Sequence, residues 1–277
     1  MNMKKILAIL SAICLTIAFN ACDKISPPYK IPVVVPAGER NVLVEDFTGH
    51  KCGFCPRATR FAYDLKQTYG DRMIVVSVHA GFFASTNIPP YTYDFKCTES
   101  TTLDTDFGIS LAGNPNGMVN RKKLNGSFIV PYTAWGSEVA NILNSTEPLP
   151  VRIVVTADFD TTTRQLDTQV QLDFASDLSG TYKLSVYLVE DSIVKWQKDY
   201  DASPSDVENY IHREVLRGSM NGTYGDVIAN TTEGETAIRN YSTTLNTEWD
   251  AAHMSLVVFL YNDATKEIIQ VEQKHLE

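Results

Sequence analysis

Apolar residues repeat with a changing period along this chain, and the change marks out its elements. Val42 to Phe47 is an apolar and β-branched run interrupted only by Glu45 and Asp46, which predicts a buried strand. From Pro56 to Tyr69 the period becomes helical, with Ala58, Phe61, Ala62, Leu65 and Tyr69 three and four residues apart and Gly70 as a stop. Met73 to Val78 returns to a strand. The unit is β–α–β, and the connection suits a parallel crossover. Thr98–Phe107 and Pro131–Leu143 read as further helices, the latter turning Tyr132, Trp135, Val139 and Leu143 inward. Beyond Pro148 and Pro150 the period is two. Val151–Thr156, Leu166–Phe174, Tyr182–Leu188, Ile238–Leu245, Met254–Tyr261 and Glu267–Val271 alternate between turn signals, which predicts a β-sandwich of about seven strands. The pattern thus predicts an α/β domain over residues 41–147 and an all-β domain over 148–277. Tyr210–Gly225 is expected to interrupt the sandwich as a loop, and 81–97 is an insertion rich in aromatic residues.

The first residues change this picture. Lys4 and Lys5 precede a short apolar stretch that ends in Phe19-Asn20-Ala21-Cys22. Such a segment is too short to span a bilayer and has a small residue before a cysteine, so residues 1–21 read as a signal peptide. Cleavage before Cys22 resembles bacterial lipoprotein processing, which would acylate Cys22 and anchor the chain to a membrane. Residues 22–40, with Pro27, Pro28, Pro32 and Pro36, form an extended tether. The net charge of −9 speaks against nucleic acid as a partner.

The candidate chemistry lies between the first strand and the helix, in Cys52-Gly53-Phe54-Cys55-Pro56. A cysteine at a helix N-terminus meets unpaired N–H groups and the positive end of the dipole, which favour its thiolate. Two cysteines separated by two residues can close a small disulfide ring. Cys52 would attack a substrate disulfide and Cys55 would resolve the mixed disulfide. A structural disulfide joining the same pair is the competing reading. A metal site from His50, Cys52, Cys55 and Cys97 is a third, which an oxidising compartment disfavours. Cys97 is read as a buried, inert thiol. No phosphate loop and no dinucleotide fingerprint is present, and no cofactor or metal is expected.

At this point the chain resembles the thioredoxin fold. The resemblance implies that Asp46 is a buried acid and proton acceptor, and that Pro115, in Gly113-Asn114-Pro115-Asn116-Gly117, is a cis-proline facing the CxxC and binding extended substrate. His50-Lys51 stands where that fold usually carries a tryptophan, and Phe54 where it carries proline. The chain as a whole resembles a family of Gram-negative outer-membrane lipoproteins named for a twenty-eight-kilodalton outer-membrane protein. The likeness lies in Glu45-Asp46-Phe47-Thr48-Gly49, the CxxC segment through Ala58, Gly113-Asn114-Pro115 with Val119-Asn120-Arg121, and His212-Arg213-Glu214-Val215-Leu216-Arg217. It implies a thioredoxin-like domain followed by an immunoglobulin-like domain at the outer membrane, and no settled activity.

Two functions follow as expectations. One is thiol–disulfide exchange with a protein substrate through Cys52, Cys55, Asp46 and Pro115. The other is a binding or interaction lipoprotein of the cell envelope with a structural disulfide. His212, Arg213 and Arg217 are candidates for a ligand patch or for docking one domain on the other. The aromatic insertion is read either as a lip over the CxxC or as a surface element packing its own rings. Metabolic labelling with a palmitate analogue tests the anchor: the wild type takes up label and Cys22→Ala does not.

Overall fold

The computed structural model describes residues 38–276. The leader, Cys22 and most of the tether lie outside the described residues. The fold is mixed α/β and rich in sheet. β1 (Val42–Thr48) and β2 (Met73–His79) pair in parallel, with Asp46 beside Ser77. They are linked by α1 (Cys55–Tyr69), whose first turn holds Pro56, where a missing N–H costs no hydrogen bond. Gly70 ends α1 at positive φ, a conformation that favours glycine. α2 (Thr98–Phe107) starts in a capping box of Cys97 and Ser100 and ends at Gly108 in the left-handed region. β3 (Asn116–Val119) runs antiparallel to β1, followed by the short β4 (Val130–Pro131). A 3-10 turn over 132–134 then leads into α3 (Trp135–Leu143), so the predicted helix begins four residues late.

The second half contains β5 (Val151–Asp160), β6 (Gln165–Phe174), β7 (Tyr182–Glu190), β8 (Ile193–Lys198), β9 (Asp206–His212), β10 (Val215–Ser219), β11 (Asp226–Ile228), β12 (Thr236–Thr244), β13 (Met254–Asn262) and β14 (Ile268–His275). Half of the expected loop over 210–225 is therefore strand, at 210–212 and 215–219. Its apolar residues do not alternate because β10 is enclosed, lying between β2 and β7 in the main sheet. That sheet runs β14-β13-β7-β10-β2-β1-β3-β4, with β11 also on β7, so it passes without a break from the first half into the second. A three-stranded sheet, β12-β6-β5, packs across from its far end, and β8 with β9 forms a separate hairpin.

Three apolar cores follow from these layers. α1 and α3 cover Val42, Val44, Met73 and Val75 on one face of the main sheet. Trp135 is fully buried there, and its indole N–H donates to the Val130 carbonyl at 3.1 Å. On the opposite face, Leu103 of α2 packs with Leu43, Ile74, Val76, Tyr187 and Phe259. The third core lies between the main and three-stranded sheets, around Val170, Leu172, Leu184 and Val258.

An ion pair is sealed inside the second of these layers. Arg121 donates from Nε and Nη2 to the two carboxylate oxygens of Glu45 at 2.8 and 2.7 Å, and both side chains are fully buried. Nη2 also reaches the Tyr187 hydroxyl at 3.2 Å, and the rings of Phe107, Phe259 and Tyr261 lie 5.0 to 5.7 Å from the guanidinium carbon. Arg121→Ala leaves the Glu45 carboxylate buried and unpaired, and is expected to cost about 3–5 kcal/mol in urea unfolding. The double variant Glu45→Leu/Arg121→Met, with no charge left to desolvate, is expected to recover most of that loss.

Candidate functional site

β1 delivers the chain into the loop Gly49–Phe54, and α1 takes it up at Cys55. Cys52 and Cys55 are joined in a disulfide, with Cα atoms 5.4 Å apart. Both cysteines are covered, at 2% and 1% exposure. The cover comes from the second half of the chain. At the tip of the β8–β9 hairpin the Tyr200 N–H donates to the Gly53 carbonyl at 2.9 Å, and the Lys198 N–H donates to His50 at 2.8 Å. The buried Gln197 amide donates to the Cys52 carbonyl at 3.1 Å. Arg57 binds Asp201 through two nitrogens at 2.9 and 2.7 Å, and Arg60 reaches Asp199 and Asp201. The fit is close: a Cβ on Gly53 would stand 2.5 Å from the Tyr200 ring, so only glycine is accommodated beneath it.

The aromatic insertion closes the other side. The Phe83 carbonyl accepts from the Lys51 N–H at 3.0 Å, and Lys51 Nζ meets Ser85 and stands 4.7 Å from the Phe82 ring. The insertion also packs its own residues inward: Phe95 is buried against His79 and His212, and Tyr91 is bonded to Asp206 of β9. The loop between the cysteines and β1 is thus gripped by both the insertion and the hairpin.

Asp46 is 1% exposed and lies two residues before the end of β1. Its Oδ1 has no hydrogen-bond partner among the described residues, and burial pushes its pKa up to about 7. The Asn114–Pro115 bond is cis, and Pro115 directly precedes β3, whose Asn116 pairs with Phe47 of β1. Pro115 therefore sits at the end of the sheet from which the cysteine loop departs. Cys97 is half-buried rather than buried. Its Sγ accepts from Ser100 N at 3.4 Å as the cap of α2, and burial pushes the thiol up to about 11. Cys52 and Cys55 are taken up in the disulfide, and no group of three metal-binding side chains converges among the described residues.

His212, Arg213 and Arg217 point to different places. His212 is buried, with ring centroids 4.3 Å from Phe95 and 5.5 Å from His79. Arg213 pairs with Asp191 at 3.1 Å and lies near the Tyr63 ring. Arg217 pairs with Glu190 at 3.2 Å in a nearly closed environment and also binds the Tyr93 hydroxyl at 3.0 Å. Nothing in the residue pattern alone marks Gln197 and Tyr200 as part of this site. The signals that mark their hairpin are the turn residues Ala202-Ser203-Pro204-Ser205 between two short β-prone runs.

The family model described as Outer membrane protein Omp28 matches residues 101–277, beginning after the cysteine loop, and the chain belongs to this family. The family supports an outer-membrane location. No curated protein matches. Among solved structures, HBP35 of Porphyromonas gingivalis is similar at 18% identity and a TM-score of 0.65, covering 86% of this chain and 76% of that one. A protein of Agrobacterium tumefaciens is similar at 15% identity and a TM-score of 0.50, covering 85% and 94%. A domain of the outer membrane lipoprotein Omp28 from Porphyromonas gingivalis shares 19% identity over 48% of this chain and 93% of its own length, at a TM-score of 0.33. At these identities the first two likenesses show the fold alone.

The histidines behind the loop set a pH dependence. His79 is held well below its ordinary value by burial, with His212 and His50 adding repulsion. Burial likewise lowers His212 to about 3 and lowers His50. Burial favours the neutral form of all three in the folded chain, whereas the unfolded chain takes up their protons near pH 6.5. Their contribution is complete above that pH and is lost on acidification. Asp46 acts oppositely, because the folded chain keeps its proton up to about pH 7. His79→Leu isolates one histidine. Below about pH 6 it is expected to flatten the slope of unfolding free energy by up to about 1.4 kcal/mol per pH unit, read by urea titrations at stepped pH.

Proposed function

We propose that this chain is a cell-envelope binding lipoprotein of the outer membrane, anchored through acylated Cys22, in which the Cys52–Cys55 disulfide is structural. In this reading the first half is thioredoxin-like and the second an immunoglobulin-like sandwich, joined through a shared sheet. The observation that carries the proposal is the burial of both cysteines beneath the β8–β9 hairpin. A disulfide that exchanges with protein substrates must present a sulfur to an incoming thiolate. Here the approach is filled by Tyr200, Gln197 and the Phe82–Ser85 segment. The disulfide then fixes the turn between β1 and α1, on which the hairpin rests.

Thiol–disulfide exchange is the second reading, with Cys52 as nucleophile and Cys55 as resolving thiol. It is favoured by Asp46, whose unpaired carboxyl, raised to about 7, suits proton transfer near neutral pH, and by Pro115 at the same end of the sheet. For the structural disulfide the expected reduction potential lies below about −300 mV, with no turnover in insulin reduction. Reduction of the native protein by dithiothreitol is expected to be slow. It should accelerate about ten- to a hundredfold in Gln197→Ala/Tyr200→Ala, which loses two of the hydrogen-bonded or packed contacts of the cover. A mixed disulfide trapped by Cys55→Ser and absent in Cys52→Ser would establish exchange instead.

A further inference from the structure

The face of β1 and β2 beneath α1 is apolar along Val42, Val44, Met73 and Val75, then becomes polar at the register pair Asp46 and Ser77. Over this polar end the helix does not close on the sheet. A cavity of about 400 Å³ remains, reaching Asp46 at its floor, walled by Lys66, Arg213 and Glu214, and rimmed by the exposed Tyr63 and Asp71.

The charges lining it are unequal. Lys66 is bound to Glu214 at 2.6 Å and Arg213 to Asp191 at 3.1 Å, so both cations are already neutralised by neighbours. Two carboxyl groups are left over. Asp71 has no ion-pair partner among the described residues, and Asp46 is nine-tenths buried and more, with Oδ1 unpartnered. A buried carboxyl without a donor is an uncommon and costly arrangement unless something supplies one. A group that completes this lining must bring positive charge and N–H donors, and must be small enough for the cavity. Its carbon skeleton would lie against Tyr63, Ala62 and Val75.

We propose that this cavity binds a small primary amine, with its ammonium group seated on the Asp46 carboxylate. The inference deepens the binding reading above, and rests on it in leaving Asp46 free of any part in thiol exchange. A neutral polyol of the same size is the competing occupant, and pH separates the two. Burial keeps a proton on Asp46 up to about pH 7, and an ammonium ion must displace that proton to bind. Amine affinity therefore rises by up to about tenfold per pH unit below 7 and levels off above it, whereas a polyol shows no such dependence.

The test is calorimetric titration of the full chain with cadaverine and with 1,5-pentanediol at pH 6, 7 and 8. Cadaverine is expected to bind with the stated pH dependence and the diol not to bind. Asp46→Asn, of nearly the same shape as the protonated acid, is expected to lose at least tenfold in cadaverine affinity while remaining folded, and to melt no lower than the wild type, since it carries no buried carboxyl to ionise. Asp71→Asn, at the exposed rim, is expected to lose a few-fold. Absence of cadaverine binding, equal binding of the diol, or full binding by Asp46→Asn would overturn the inference. Slow reduction of the disulfide with no amine binding would remove this inference alone. Insulin turnover with amine binding intact would remove only the structural-disulfide reading.

Discussion

A guanidinium removed from water has to be matched on every side, and Arg121 sets that requirement for this chain. Its carboxylate partner comes from β1, its hydroxyl partner from β7, and the rings around it from α2 and β13. Burying two ions costs more than their attraction returns unless the geometry is good and the remaining donors are satisfied. Here the pair is bidentate, and Nη1, which has no hydrogen-bond partner among the described residues, is compensated only by the aromatic rings around the guanidinium, whose negative faces attract it. The first and second halves of the chain must therefore arrive in one arrangement, because any other leaves a charge stranded in an apolar layer. That places specificity of assembly, more than raw stability, at the centre of the fold.

The join between halves has a second fastening that shapes the surface. β10 enters the sheet beside β2 with a single register pair, Val215 with Ser77, and the Ser77 N–H donates to Glu214 at 2.7 Å. The corner just before β10, with Glu214 at positive φ, turns Arg213 and Glu214 toward α1, where Lys66 meets Glu214. The same few residues complete the sheet and wall the cavity above Asp46. The cavity is consequently a product of the union of the halves and would not exist in the first half alone.

Much of this architecture is legible in the residue pattern. The β–α–β unit, the helix at 98–107 and six of the strands of the second half follow from periods of 2 and 3.6, which local side-chain direction imposes. The cysteine pair is legible because its spacing and its place at a helix start are local. What the pattern does not carry is the choice of partner across distance. Glu45 and Arg121 are 76 residues apart, and nothing local to either one names the other as its partner. Gln197 is an ordinary polar residue of a short strand until it stands over Cys52. β10 was hidden for a related reason, since a five-residue strand enclosed on both sides has no alternation to betray it.

The hairpin over the cysteines has a consequence for assembly in time. Gln197 lies 145 residues after Cys52, so a chain that emerges N-terminus first into the oxidising cell envelope presents the two thiols there before their cover has arrived. Oxidation has an open approach in that interval and a blocked one afterwards. The bond is therefore best closed early, on a half-made protein, and then enclosed by the strands that follow. A molecule that acquires its cover with the thiols still reduced has to loosen it again before any oxidant can enter. Ordering along the chain thus acts as a timetable, in which covalent closure comes first and the lid is the last part laid down.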